Sequence, residues 1–161
     1  MGVKVSDIEE YTEAVIEISE GLTSDVLDAI GYDFEKRSAT LALLTCYCLI
    51  LTYKKMDSRK VGFLRKRKVI NEIVASMATQ NMMSTRNIPQ YKITFKFLLR
   101  LFGQLTLSAE THSGSLAWEY AKYMVEQIGE DEDLKTSKEV HEKLIEINKN
   151  LKTDYLVNLI S

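Results

Sequence analysis

The chain has 161 residues, 45% hydrophobic and 27% charged, with one Pro and seven Gly. That is the composition of an ordinary globular chain, long enough for one domain with a real core, and it excludes a low-complexity chain. The formal net charge of −2 hides a segregation: residues 1–35 hold one Lys against ten acids, 36–100 hold fourteen Lys or Arg against two, and 101–161 hold six Lys against eleven. So few breakers favour an all-α fold, and the basic middle implies a positive face suited to phosphates.

In chain order, Ser6 with Glu9 reads as a capping box. It opens an amphipathic helix with Ile8, Tyr11, Val15, Ile18 and Leu22 on one face. Glu9, Glu10, Glu13, Glu17 and Glu20 line the other face. Gly21 is expected to end this helix, and Ser24 to cap a short second one that stops at Gly31. A third helix is expected from about 38 to 53; a strand is the alternative, against which LALL and the absence of Val argue. Its apolar run, LALLTCYCLILTY, is thirteen residues long, too short to span a bilayer, and reads as a central buried helix.

Asp57, Ser58 and Gly62 mark a turn. A helix follows from 63 to about 77, with Leu64, Val69, Ile73 and Met77 on a shared face. Its start belongs to the densest basic stretch, RKVGFLRKRK, at 59–68. Arg65, Lys66, Arg67 and Lys68 are consecutive. At about 100° per residue they fan around the axis, and most of them stay in solvent. The polar run at 79–87 reads as a linker between a first helical lobe (about 1–78) and a second (about 89–161).

Pro89 suits the first turn of the next helix. Ile93, Phe97, Leu101 and Leu105 are expected to be its inner face, with Lys92, Lys96 and Arg100 as a basic outer stripe. Ser113 caps the following helix, which Gly129 closes. Thr136 with Glu139 caps another, and the segment TDYLVNLIS supplies a last short one.

For catalysis the sequence offers no Gly-rich phosphate loop, no nucleophile motif and no Cys/His cluster, so a non-enzymatic role is expected, with no cofactor and no metal. The two cysteines, Cys46 and Cys48, point in different directions on a helix, which disfavours a mutual disulfide. His112 is a candidate pH switch, since an ordinary histidine titrates near pH 6.5; the alternative is a polar surface or capping residue. Gly2 with Ser6 matches a myristoylation pattern that also arises by chance. The main candidate surface comprises Arg59, Lys60, Arg65, Lys66, Arg67 and Lys68, joined by Lys92, Lys96 and Arg100. It is expected to take RNA or anionic lipid through salt-sensitive phosphate contacts. The same run reads as a nuclear localisation signal. The alternative is a solvated segment paired with the acidic ends. Phe63 and Tyr91 are too few for a base-stacking platform.

Three stretches together resemble the N-terminal domain of the orthomyxovirus (influenza-type) matrix protein, in a divergent, thogotovirus-like form. They are CYCLILTYKKMDSRKVGFLRKRKVINEI, SAETHSGSLAWEYAKYM and SDIEEYTEAVIEISEGLTSDVLDAI. The resemblance covers most of the chain at low identity. It implies two small helical bundles joined by a linker into one compact domain. It further implies a structural role in the virion: self-association beneath the envelope, and contact with anionic membrane and the viral ribonucleoprotein. The family's basic run falls on Arg65, Lys66, Arg67 and Lys68, and its second basic group corresponds loosely to Lys92, Lys96 and Arg100. The implied locations are the inner face of the envelope, the host cytoplasm and nucleus, and the cytoplasmic face of the membrane. The chain departs from the family in lacking its late Cys/His cluster, so zinc is not implied. The family's chain also continues into a C-terminal domain beyond the segment matched here. A small helical nucleic-acid-binding regulator or accessory subunit is the alternative; it shares the basic surface but predicts no preference for anionic membrane.

Overall fold

The computed structural model describes residues 3–31, 34–107, 113–129 and 133–160. His112 and Gly2 lie outside the described residues. The expected all-α class is the observed one: α1 (Val5–Ile30), α2 (Arg37–Ser58), α3 (Phe63–Thr79), α4 (Ile88–Phe102), α5 (Leu116–Ile128), α6 (Leu134–Asn150) and α7 (Thr153–Ile160), with 3-10 turns at Phe34–Lys36 and Thr85–Asn87.

Helix α1 corrects the expectation of two helices, since it runs unbroken through Gly21 and Ser24. Ile8, Tyr11, Val15, Leu22 and Val26 keep one helical face in register across both, and all five are buried. One interior Gly costs only about 1 kcal/mol, which burial of a continued apolar face outweighs. The helix ends at Gly31, as expected, where φ is 108°. Its start is held by Asp7 rather than by Ser6 and Glu9: the Lys4 N–H donates to the Asp7 carboxylate at 3.0 Å.

Helix α2 is buried on all sides through its middle, from Leu44 to Thr52. It extends to Ser58, past the expected end, and closes in a Schellman turn. There the Val61 N–H reaches the Met56 carbonyl and the Lys60 N–H reaches that of Asp57, both at 3.0 Å. Lys60 takes the left-handed position with φ 59°. The same turn closes α3, with Asn81 at φ 64°. Two further caps differ from expectation. Ser115, not Ser113, accepts from the Trp118 N–H at the start of α5. Asp133, not Thr136, accepts from the Lys135 N–H at the start of α6.

Helix α1 packs on α2, α3 and α6, while α2 also packs on α4, α5 and α7. The helices on either side of the 80–87 connection therefore share one apolar core. Within it the Tyr120 ring lies 5.0 Å from those of both Tyr47 and Phe102. Buried tyrosine hydroxyls join distant helices: Tyr11 to Thr52 at 2.6 Å, Tyr47 to Asn148 at 2.7 Å, and Tyr120 to the Leu43 carbonyl at 2.6 Å. These bonds satisfy polar groups that would otherwise be costly to bury.

Candidate polyanion-binding face

The basic stretch divides among three environments. Arg59 and Lys60 sit in the turn after α2 and are exposed. The Arg59 guanidinium donates to the Asn158 side-chain carbonyl at 2.9 Å, which ties the turn to α7. In the first turns of α3, Arg65, Arg67 and Lys68 are exposed, as the helical fan requires. Lys68 is 4.0 Å from Glu72 one turn on.

Lys66 points inward and is only 6% exposed. Its ammonium lies 2.6 Å from Asp57 and 4.6 Å above the Tyr53 ring. Burial works against its charge, but Asp57 and Tyr53 outweigh that cost and leave its pKa above the ordinary lysine value. The expected binding role of Lys66 therefore meets a structural fact: its charge is neutralised within the fold and is turned away from solvent.

Helix α4 is reversed relative to expectation. Its core face is Phe95, Leu98 and Phe102, all buried. Ile93, Phe97 and Leu101, expected inside, are 60, 55 and 51% exposed. Leu64 on α3, also expected inside, is 78% exposed. The reason is that α4 carries two apolar stripes. Tyr91, Phe95 and Phe102 give one stripe three rings, with Leu98 between them, and Phe102 packs against Tyr120 and Tyr123. Tyr91 adds a hydroxyl contact to Thr45 on α2. The heavier stripe takes the core, and the lighter one is left outside. Lys92, Lys96 and Arg100 form a row beside it, at four-residue spacing.

Between α3 and α4 lies a groove of about 350 Å³. Arg67, Lys92, Lys96 and Arg100 line it, together with Phe63, Ile70, Phe95 and Leu99, and no Asp or Glu stands among its lining residues. Among the described residues, none of these four cations makes an ion pair. The fold thus brings α3 and α4 cations, 25 or more positions apart in sequence, to one site. The C-terminal end of α4 is fixed by Lys54 of α2, whose ammonium donates to the Gly103 carbonyl at 2.7 Å. Burial lowers the Lys54 pKa.

Elsewhere the chemistry is quiet. Cys46 and Cys48 are fully buried free thiols, and burial pushes both up to about 12. Among the described residues no group of His, Cys, Asp or Glu is placed to hold a metal ion, and no helix is long and apolar enough to cross a membrane. Sequence reasoning found the four groove cations but missed their apolar company. The signal was present in the second apolar stripe of α4; which stripe faces the core was not. Comparison with family models, with curated proteins and with solved structures gives no match.

Proposed function

We propose that this chain is a structural binding protein of the matrix type: a non-enzymatic domain that docks on anionic membrane and on ribonucleoprotein through the α3–α4 face and assembles with its own copies beneath a viral envelope. The observation that carries this reading is the groove whose four cations, Arg67, Lys92, Lys96 and Arg100, have no carboxylate among them. Clustered cations without an ion pair among the described residues are available to external phosphate in a way that Lys66 is not. Arg67 and Arg100 offer forked donors to phosphate oxygens, while Lys92 and Lys96 add point charge. Self-association is supported by the opposite character of α1, whose outward residues Glu9, Glu10, Glu13, Glu17 and Glu20 are all exposed. The acidic ridge of one copy can meet exposed basic side chains of the next that lie outside the groove, such as Arg65 and Lys68.

The test is co-sedimentation with phosphatidylserine-containing and neutral vesicles, with RNA binding measured in parallel. At roughly 1 kcal/mol per cation near an anionic surface, the triple variant Arg67→Ala, Lys96→Ala, Arg100→Ala should bind anionic vesicles about a hundredfold more weakly at low salt. Lys66→Met should bind like the wild type. RNA retention without any preference for anionic over neutral vesicles would favour the regulator reading instead. Equal vesicle binding by the triple variant would overturn the assignment of the face.

A further inference from the structure

We infer that the α3–α4 face does more than attract an anionic bilayer: it inserts into it, with α4 lying in the membrane plane. This rests on the membrane reading above and names the mode of docking. Ile93, Phe97 and Leu101 stand at successive turns of α4, each more than half exposed. Phe63 on α3 is 63% exposed and lines the groove shared with α4. Leu64, next to Phe63, is 78% exposed; the other exposed large apolar side chains, Val5, Leu134 and Tyr155, are on three different helices, and isolated ones of that kind are ordinary. A stripe repeated at every turn of one helix, with Lys92, Lys96 and Arg100 in a parallel row, is not ordinary. It is the pattern of an interfacial helix. The apolar row enters the boundary between head groups and acyl chains to a depth of about 5–10 Å, and the cations stay at phosphate level with their stems along the apolar surface.

Two other occupants fit less well. Nucleic acid would match the cations and could stack on Phe63 and Phe97, but it leaves Leu64, Ile93 and Leu101 without an apolar partner. A second copy's α1 would match the charge, but its outward face is a row of glutamates with no apolar stripe to meet Ile93, Phe97 and Leu101. A bilayer matches both: phosphate and serine head groups outside, hydrocarbon beneath.

The experiment places a polarity-sensitive fluorophore on Phe97→Cys. The native thiols are fully buried, so position 97 takes the label. Vesicles of phosphatidylcholine with 30% phosphatidylserine are titrated at low salt and again at 0.5 M NaCl, where charge attraction is strongly screened. The variant Ile93→Ser, Phe97→Ser, Leu101→Ser is pelleted with the same vesicles, its helical content checked by circular dichroism. Insertion predicts a blue shift at position 97 on vesicle binding. It also predicts wild-type binding that persists at 0.5 M NaCl, and at least a tenfold weaker affinity for the triple-Ser variant. Vesicle binding that high salt abolishes entirely, with the probe still reporting water, would overturn insertion while leaving charge-driven docking intact. Absence of anionic-vesicle binding at any salt would overturn the membrane reading itself. A blue shift that follows protein concentration without vesicles would overturn insertion in favour of a second copy on this face.

Discussion

Lys66 shows how a single side chain is assigned its work. It sits in the middle of four consecutive basic residues, yet its ammonium contacts Asp57 and the Tyr53 ring and is turned away from solvent. Nothing in the local run RKRK distinguishes it from Lys68; only the approach of α2 does. The buried thiols and phenols make a second residue-scale case. Burial raises Cys46 and Cys48 to about 12 and pushes Tyr11 and Tyr47 upward from their ordinary values. Each group is therefore neutral in the folded chain over a pH range in which the unfolded chain ionises it. The folded state then holds more protons, so stability falls as pH rises. The contribution is intact below the unfolded values and is lost upward from about pH 9 for the thiols and about pH 10 for the phenols. Denaturant unfolding should give constant stability from pH 7 to 8 and a loss of roughly 2 kcal/mol or more by pH 11. Cys46→Ala with Cys48→Ala should flatten the portion of the fall between pH 9 and 10. A stability that does not change up to pH 11 would contradict this burial.

At the scale of elements, α1 and α4 illustrate what apolar periodicity specifies and what it leaves open. In α1 the apolar face continues in register past Gly21, and the glycine yields to it. A Cβ added at Gly21 would meet nothing within 4 Å. Gly21→Ala should therefore raise stability by about 1 kcal/mol, through helix propensity alone; thermal or denaturant unfolding reads this directly, and a destabilisation would mean that α1 does not run through. In α4 periodicity offered two faces, and the choice was made by partners remote in sequence: Tyr120 and Tyr123 beside Phe102, and Thr45 beside Tyr91. The positions of α3, α4 and α5 could be read from the sequence to within two or three residues at each end, because Pro89, Gly62 and Gly129 punctuate them. The caps could not, since several side chains competed for each helix start and Asp7, Ser115 and Asp133 prevailed by geometry. For the candidate face, the cations could be named in advance; their convergence on one groove and the outward turn of Ile93, Phe97 and Leu101 depend on packing that no local window contains.

Across the whole molecule, charge and packing are arranged on different principles. The core runs through all seven helices, with α1 and α2 packing on both halves of the chain. Charge instead follows sequence order, with an acidic ridge on α1 and a basic face on α3 and α4. A chain so divided can hold an anionic surface with one face and a neighbouring copy with another, and salt should weaken the charge-driven part of both contacts. The central claim is that the α3–α4 face is the one that docks. Its most direct test is an amide chemical-shift map of the isotope-labelled chain titrated with phosphatidylserine-containing bicelles, alongside neutral bicelles. The account predicts perturbations concentrated in residues 63–71 and 88–102, absent from the acidic face of α1 and much weaker with neutral lipid. Perturbations centred on α1 or α6, or an equal response to neutral lipid, would contradict it.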